Sequence, residues 1–194
     1  MNDITASQLS RAAVLSMDLQ NGIVQNYVDQ SDGFLDRCAS VIGAARIQGL
    51  PVIHVHVGFR PGFPEVNARN PLFGSIKTSP ERQAMFVGDG PKIYERVAPV
   101  NDEVVITKHR VSAFSSSDLE QVLRAADLDT LVMFGIATSG VVLSTLVDAA
   151  DRDYRIVVVK DCCADQDQEL HNALIDRYFP KRGSVITSQE FTSL

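Results

Sequence analysis

The stretch LVMFGIATSGVVLSTLVDAADRDY, Leu131 to Tyr154, decides how the chain is read. An apolar run rich in β-formers reaches Gly135. The chain then turns through Gly135-Ile136-Ala137-Thr138-Ser139-Gly140 and continues with helical spacing. A buried strand, a tight turn and a helix N-terminus form one half of a βαβ unit. Such a turn is where many hydrolases place a nucleophile. Here the first helical turn offers Val141, which has none.

Working outward, short apolar runs alternate with amphipathic ones. Residues 12–18, 51–57, 103–108, 130–136, 155–161 and 183–188 read as strands. Residues 34–49, 116–127, 141–153 and 167–179 read as helices, with Gly49 closing the first and Ser116 or Ser117 capping the second. Val- and Ile-rich strands with helices between them predict an α/β chain, a doubly wound three-layer αβα sandwich around a mostly parallel sheet. The segment from Gly58 to Pro99, rich in Pro, Gly, Asn and charge, reads as a long irregular loop of the functional kind.

No linker or composition shift divides the 194 residues, so the prediction is a single domain over 1–194, with 1–10 a loose N-terminal arm. The net charge of −6 and the lack of a basic stripe argue against nucleic acid. The N-terminus has no secretory pattern, and no apolar run approaches the ~20 residues that cross a bilayer. Of the three cysteines, Cys162 and Cys163 are adjacent, and an odd count makes no disulfide framework. Reduced thiols in a cytoplasmic protein are the expectation.

In a parallel sheet, the residues that follow each strand share one rim. The first strand ends in Asp18-Leu19-Gln20, the second leads to Arg60, the third ends in Lys108-His109-Arg110, and the fourth in the 135–140 turn. An acid, a lysine, an arginine and a helix N-terminus can converge there as a proton carrier, cations and N–H donors. Each has a plainer reading. Asp18 could cap a turn, Lys108 and Arg60 could be solvated, and Thr138 or Ser139 could be the helix cap. His54 and His56 alternate along a strand and cannot ligate one metal together.

Three blocks, VLSMDLQNGIV, VITKHRVSAFSSSDLEQVLR and GIATSGVVLSTLVDAADRDYRIVVVKDCCAD, carry a resemblance to the isochorismatase-like hydrolases, the cysteine hydrolase superfamily. The resemblance covers nearly the whole chain. It implies a doubly wound fold, a catalytic Asp at Asp18 and a catalytic Lys at Lys108. It puts the nucleophilic Cys at the position of Val141, with a cis peptide at Ala137–Thr138. It further implies a small-molecule substrate bound by Gln20, Arg60, Phe114, Thr138, Ser139 and Gly140, a dimer or larger homo-oligomer, and neither metal nor other cofactor. Valine cannot attack a carbonyl. Isochorismatases proper also lack the cysteine and hydrolyse a vinyl ether by protonating it. Three readings follow. One is a hydrolase using Asp18 and Lys108 without covalent catalysis on a small anionic metabolite. Another is an inactive member that binds a metabolite or serves in an assembly. The third is a hydrolase with a substitute nucleophile, Ser139 or Ser144, for which the sequence offers no evident base.

Overall fold

The computed structural model describes residues 9–29 and 32–194. Most of the expected arm, residues 1–8, lies outside them; Leu9 is buried in the core. Six strands form one sheet, β1 (Ala12–Met17), β2 (Val52–Val57), β3 (Val104–Lys108), β4 (Thr130–Ile136), β5 (Arg155–Ala164) and β6 (Ser184–Ile186). Their spatial order is β3-β2-β1-β4-β5-β6, and every neighbouring pair is parallel. The two central strands, β1 and β4, are buried at every residue. That is the cost-free place for continuous apolar runs, because both faces are covered.

The chain winds outward from the centre in two directions, β1 to β2 to β3 and then β4 to β5 to β6. With right-handed crossovers, α2 (Phe34–Ile47) covers one face and α6 (Leu143–Ala150) the other. The C-terminal α8 (Ser188–Thr192) joins α2 on the first face. The order reverses between β1 and β4, so the crevice outside their carboxyl ends is the switch point at which open α/β sheets bind ligands.

Two contacts set that crevice. Gly135 adopts φ +148°, and a Cβ there would sit 2.0 Å from the Met17 carbonyl oxygen, so only glycine lets β4 close on β1 at this level. Gly22, in α1 (Asn21–Tyr27), lets the backbone of Met85 approach; a Cβ would meet it at 2.7 Å.

The segment between β2 and β3 corrects the sequence reading. It is not an irregular loop but carries α3 (Pro71–Thr78) and α4 (Pro80–Ala84). Both begin at a proline preceded by a cap. The Asn70 side chain accepts from Leu72 and Phe73 N–H, each at 3.1 Å, and Ser79 Oγ accepts from Arg82 N–H at 3.2 Å. The expected helix over 116–127 is shorter, α5 (Leu119–Ala125); Asp118 sits at the N-cap without a side-chain bond, and the expected Ser117 hydroxyl accepts from Leu119 N–H at 3.3 Å. The helix expected over 141–153 starts as a π-helical turn, Thr138–Val142, kinked at Gly140. The cis peptide lies at Ile136–Ala137, one bond earlier than expected, because the chain turns as soon as β4 ends. The helix over 167–179 is α7 (Gln168–Ala173), continued by a π-helical turn, Leu174–Tyr178.

Candidate active site

Asp18 follows β1 with φ 56°, a backbone fold that turns its side chain out of the strand's alternation. Lys108 ends β3, two strands away, beside Val57 in the register. It reaches back past β2, and its Nζ donates to Asp18 Oδ2 at 2.8 Å and to the Arg110 carbonyl at 3.0 Å. Both side chains are almost wholly buried, at 2% and 7% exposure. Asp18 Oδ1 has no hydrogen-bond partner among the described residues. A buried carboxylate oxygen without a donor is expensive, and the cost falls on the charged form. Burial therefore pushes the Asp18 pKa up, and the pull of Lys108 and of the Val57 peptide towards the anion offsets only part of it.

Asp18 and Lys108 line a cavity of about 620 Å³ together with Val141, Ser139, Gly140 and Ser144. The volume lies within the ~300–1,000 Å³ of small-molecule sites. Val141 is buried, at the first turn after β4. Three of the turn's N–H groups have partners. Ser139 N–H donates to Asp165 Oδ2 at 2.7 Å, and those of Gly140 and Val142 to the Ala137 carbonyl at 3.1 and 3.2 Å. The segment between β2 and β3 supplies an apolar wall through Leu72, Phe73, Ile76, Met85 and Phe86. Phe59 ties this wall together, its ring meeting those of Phe73 and Phe86 edge-on at 5.9 and 5.4 Å.

Four residues expected at the site lie elsewhere. Arg60 is spent on Glu65, with Nη1 to Oε1 at 2.6 Å, and its side chain is 72% exposed. Gln20 is fully buried and clamps the end of β2: its amide donates to the Val57 and Pro91 carbonyls at 2.9 and 3.0 Å and accepts from Val57 N–H at 2.9 Å. It braces the cavity rather than lining it. Phe114 packs against Tyr154 and beneath Arg152. Thr138 is buried, and its hydroxyl pairs with His171 Nδ1 at 2.8 Å. Sequence reasoning missed Tyr27, Arg82 and Asp165, which do line the cavity. Asp165 follows β5 and was legible from the same rim argument that found Asp18. Arg82 carried no such signal, because its helix was read as loop.

None of the three thiols reaches the cavity. Cys38, Cys162 and Cys163 are buried and unpaired by disulfide. The Cys38 thiol beside it and burial push the Cys162 thiol well above its usual range, and burial does the same for Cys163. Among the described residues, no group of three or more His, Cys, Asp or Glu side chains is placed to hold a metal ion, and no helix is long and apolar enough to cross a membrane.

Residues 12–190 match the isochorismatase domain. The chain belongs to the isochorismatase family. Its curated relatives include a maleamate amidohydrolase from Pseudomonas putida, 30% identical over 80% of this chain and 71% of the relative. A ureidoacrylate amidohydrolase from Variovorax paradoxus is 32% identical over 89% of this chain and 74% of the relative. Among solved structures, an isochorismatase family protein from Burkholderia thailandensis superposes with a TM-score of 0.81 at 29% identity, covering 94% of each chain. The relatives named here are amidohydrolases, and the chain is a hydrolase of this isochorismatase family.

Proposed function

We propose that the chain is a hydrolase of a small carboxylate, in which Asp18 carries the proton, Lys108 holds Asp18 in place and no enzyme–substrate bond forms. One observation carries this reading: a buried Asp18 with an uncommitted oxygen lines the same cavity as Val141, the residue that the family resemblance puts at the nucleophile's position. A carboxyl group whose pKa is raised by burial keeps a proton to give nearer neutral pH than an ordinary aspartate does. On a vinyl ether it protonates the alkene carbon, water adds to the resulting oxocarbenium carbon and returns a proton to Asp18, and the hemiketal so formed collapses, its C–O bond breaking as the hydroxyl proton passes to the departing oxygen to leave a carbonyl compound and an alcohol. Lys108 fixes the carboxyl rotamer through Oδ2 and leaves Oδ1 uncommitted. Maleamate and ureidoacrylate, the substrates named for the relatives, are both small unsaturated carboxylates, which supports an anionic substrate here.

The serines that line the cavity, Ser139 and Ser144, are poor nucleophiles without a base. The nearby imidazole, His171, is bonded to Thr138 instead. The filled nucleophile position favours a second reading, an inactive member that only binds the metabolite. The test is a screen of vinyl ethers, amides and carbamoyl compounds, followed by intact-mass measurement of the protein quenched during turnover. The expected result is hydrolysis with the protein mass unchanged. A substrate-derived adduct on Ser139 or Ser144 would overturn the non-covalent step, and binding without turnover of any compound would leave the inactive reading standing.

A further inference from the structure

Five charged side chains line the cavity: Asp18, Glu81, Arg82, Lys108 and Asp165. Four are committed. Lys108 Nζ is bonded to Asp18 Oδ2 at 2.8 Å. Glu81 takes the Ser79 hydroxyl at 2.6 Å, and Asp165 takes the Ser139 and Asp167 N–H groups at 2.7 and 3.3 Å. Arg82 differs. Its guanidinium makes one hydrogen bond, to the neutral Ser75 hydroxyl at 2.8 Å, and no ion pair among the described residues. A guanidinium has five N–H donors in a planar fork that matches a carboxylate. Here the fork stands at the exposed end of a cavity whose apolar wall comes from Phe73, Ile76 and Phe86 and whose buried end holds Asp18.

Resting on the functional reading above, we propose that Arg82 anchors a substrate carboxylate at the mouth of the cavity and so selects small molecules with an apolar, unsaturated body and an acid at one end. Tyr27 lines the same wall, and its hydroxyl lies within electrostatic reach of both Arg82 and Asp165. A phenol O–H there is a second donor within the same cavity. The arrangement gives the role expected of Arg60 to a residue of α4. Arg60 is neutralised by Glu65 and does not line the cavity.

The probes are benzoate and benzamide, equal in shape and different in charge at pH 7, titrated calorimetrically into the full chain. The parent should bind benzoate at least about tenfold more tightly, the usual scale of a charge-assisted bidentate hydrogen bond. Arg82→Gln should erase that preference while benzamide affinity stays within about twofold, and Arg82→Lys should restore part of it. Arg60→Gln should change neither affinity. Arg82 is exposed, so the variants should melt with the parent. With a carboxylated substrate in hand, Arg82→Gln should raise KM by about tenfold at an unchanged kcat. A benzoate preference that is absent in the parent, that survives Arg82→Gln, or that is lost in Arg60→Gln overturns the proposal. These are binding readouts. A protein that passes them without turnover would reject the hydrolytic reading and keep the anchor, and an active enzyme that fails them would do the reverse.

Discussion

Strand β3 has an acid network at each end, and the two are built to opposite rules. At its amino end, Glu103 is saturated. It accepts from Arg46 Nε and Nη2 at 2.8 and 2.9 Å, from Val100 N–H at 3.0 Å, and lies 3.0 Å from Nε2 of the fully buried His54. These donors overcome burial and hold its pKa at about 2. At its carboxyl end, Lys108 meets Asp18, which has a single cationic partner, one idle oxygen and a raised pKa. A carboxylate that only stabilises the fold is given every donor it can accept. In the proposed mechanism the acid that passes a proton is the one left short of them, and the fold bears the cost.

The contrast is most exposed to turnover. With a substrate identified, Asp18→Asn should lower kcat by about 10²–10⁴-fold, since the amide can neither give nor take the proton. Glu103→Gln should leave kcat within about twofold. Comparable losses in both would mean that Asp18 matters only for folding.

Stability should reverse the ranking. Glu103→Gln exchanges charge-assisted bonds for neutral ones and weakens the support of buried His54, so urea unfolding at pH 7 should register a loss of about 1–3 kcal/mol. A change below about 0.5 kcal/mol would show that the network is an ornament of the surface.

The pH dependence should split in sign. Glu103 has a folded pKa depressed from 4.5 to about 2. Its contribution is therefore fully present above 4.5 and is lost as pH falls towards 2. Asp18 has a folded pKa raised from 3.8. Its protonated form favours the fold at low pH, and that contribution is lost as pH rises from 3.8 through the elevated value. Glu103→Gln should flatten the acid limb of Tm against pH, and Asp18→Asn the limb above it. Both variants acting on the same limb would contradict the assignment.

The smallest expected effect is none. Iodoacetamide should leave turnover of the folded protein unchanged, because all three thiols are buried away from the cavity and Cys162 and Cys163 are held protonated. Inactivation without unfolding would place a working thiol in the site.

The sequence made the scaffold legible where one physical demand dominated. Continuous apolar runs marked β1 and β4, because a central parallel strand is buried on both faces. The rim rule then placed Asp18, Lys108 and the turn at Val141 around one crevice without any contact information. It was blind where pairing depends on neighbours from elsewhere in the chain. Nothing local distinguishes Arg60, neutralised by Glu65 five residues on, from Arg82, which has no ion pair among the described residues and sits on a helix of one turn. The caps Asn70-Pro71 and Ser79-Pro80 were readable as helix starts, and reading them would have put Arg82 on a wall instead of in a loop. Whether burial or Lys108 sets the protonation of Asp18 depends on how dry its surroundings are, which no spacing in the sequence encodes.

Carboxyl ¹³C NMR titration of the parent, with the two resonances assigned through Asp18→Asn and Glu103→Gln, measures the contrast itself. The account predicts that Asp18 titrates above the ordinary 3.8 while Glu103 titrates near 2. An Asp18 that titrates at or below 3.8, as a plain partner of Lys108 would, contradicts it.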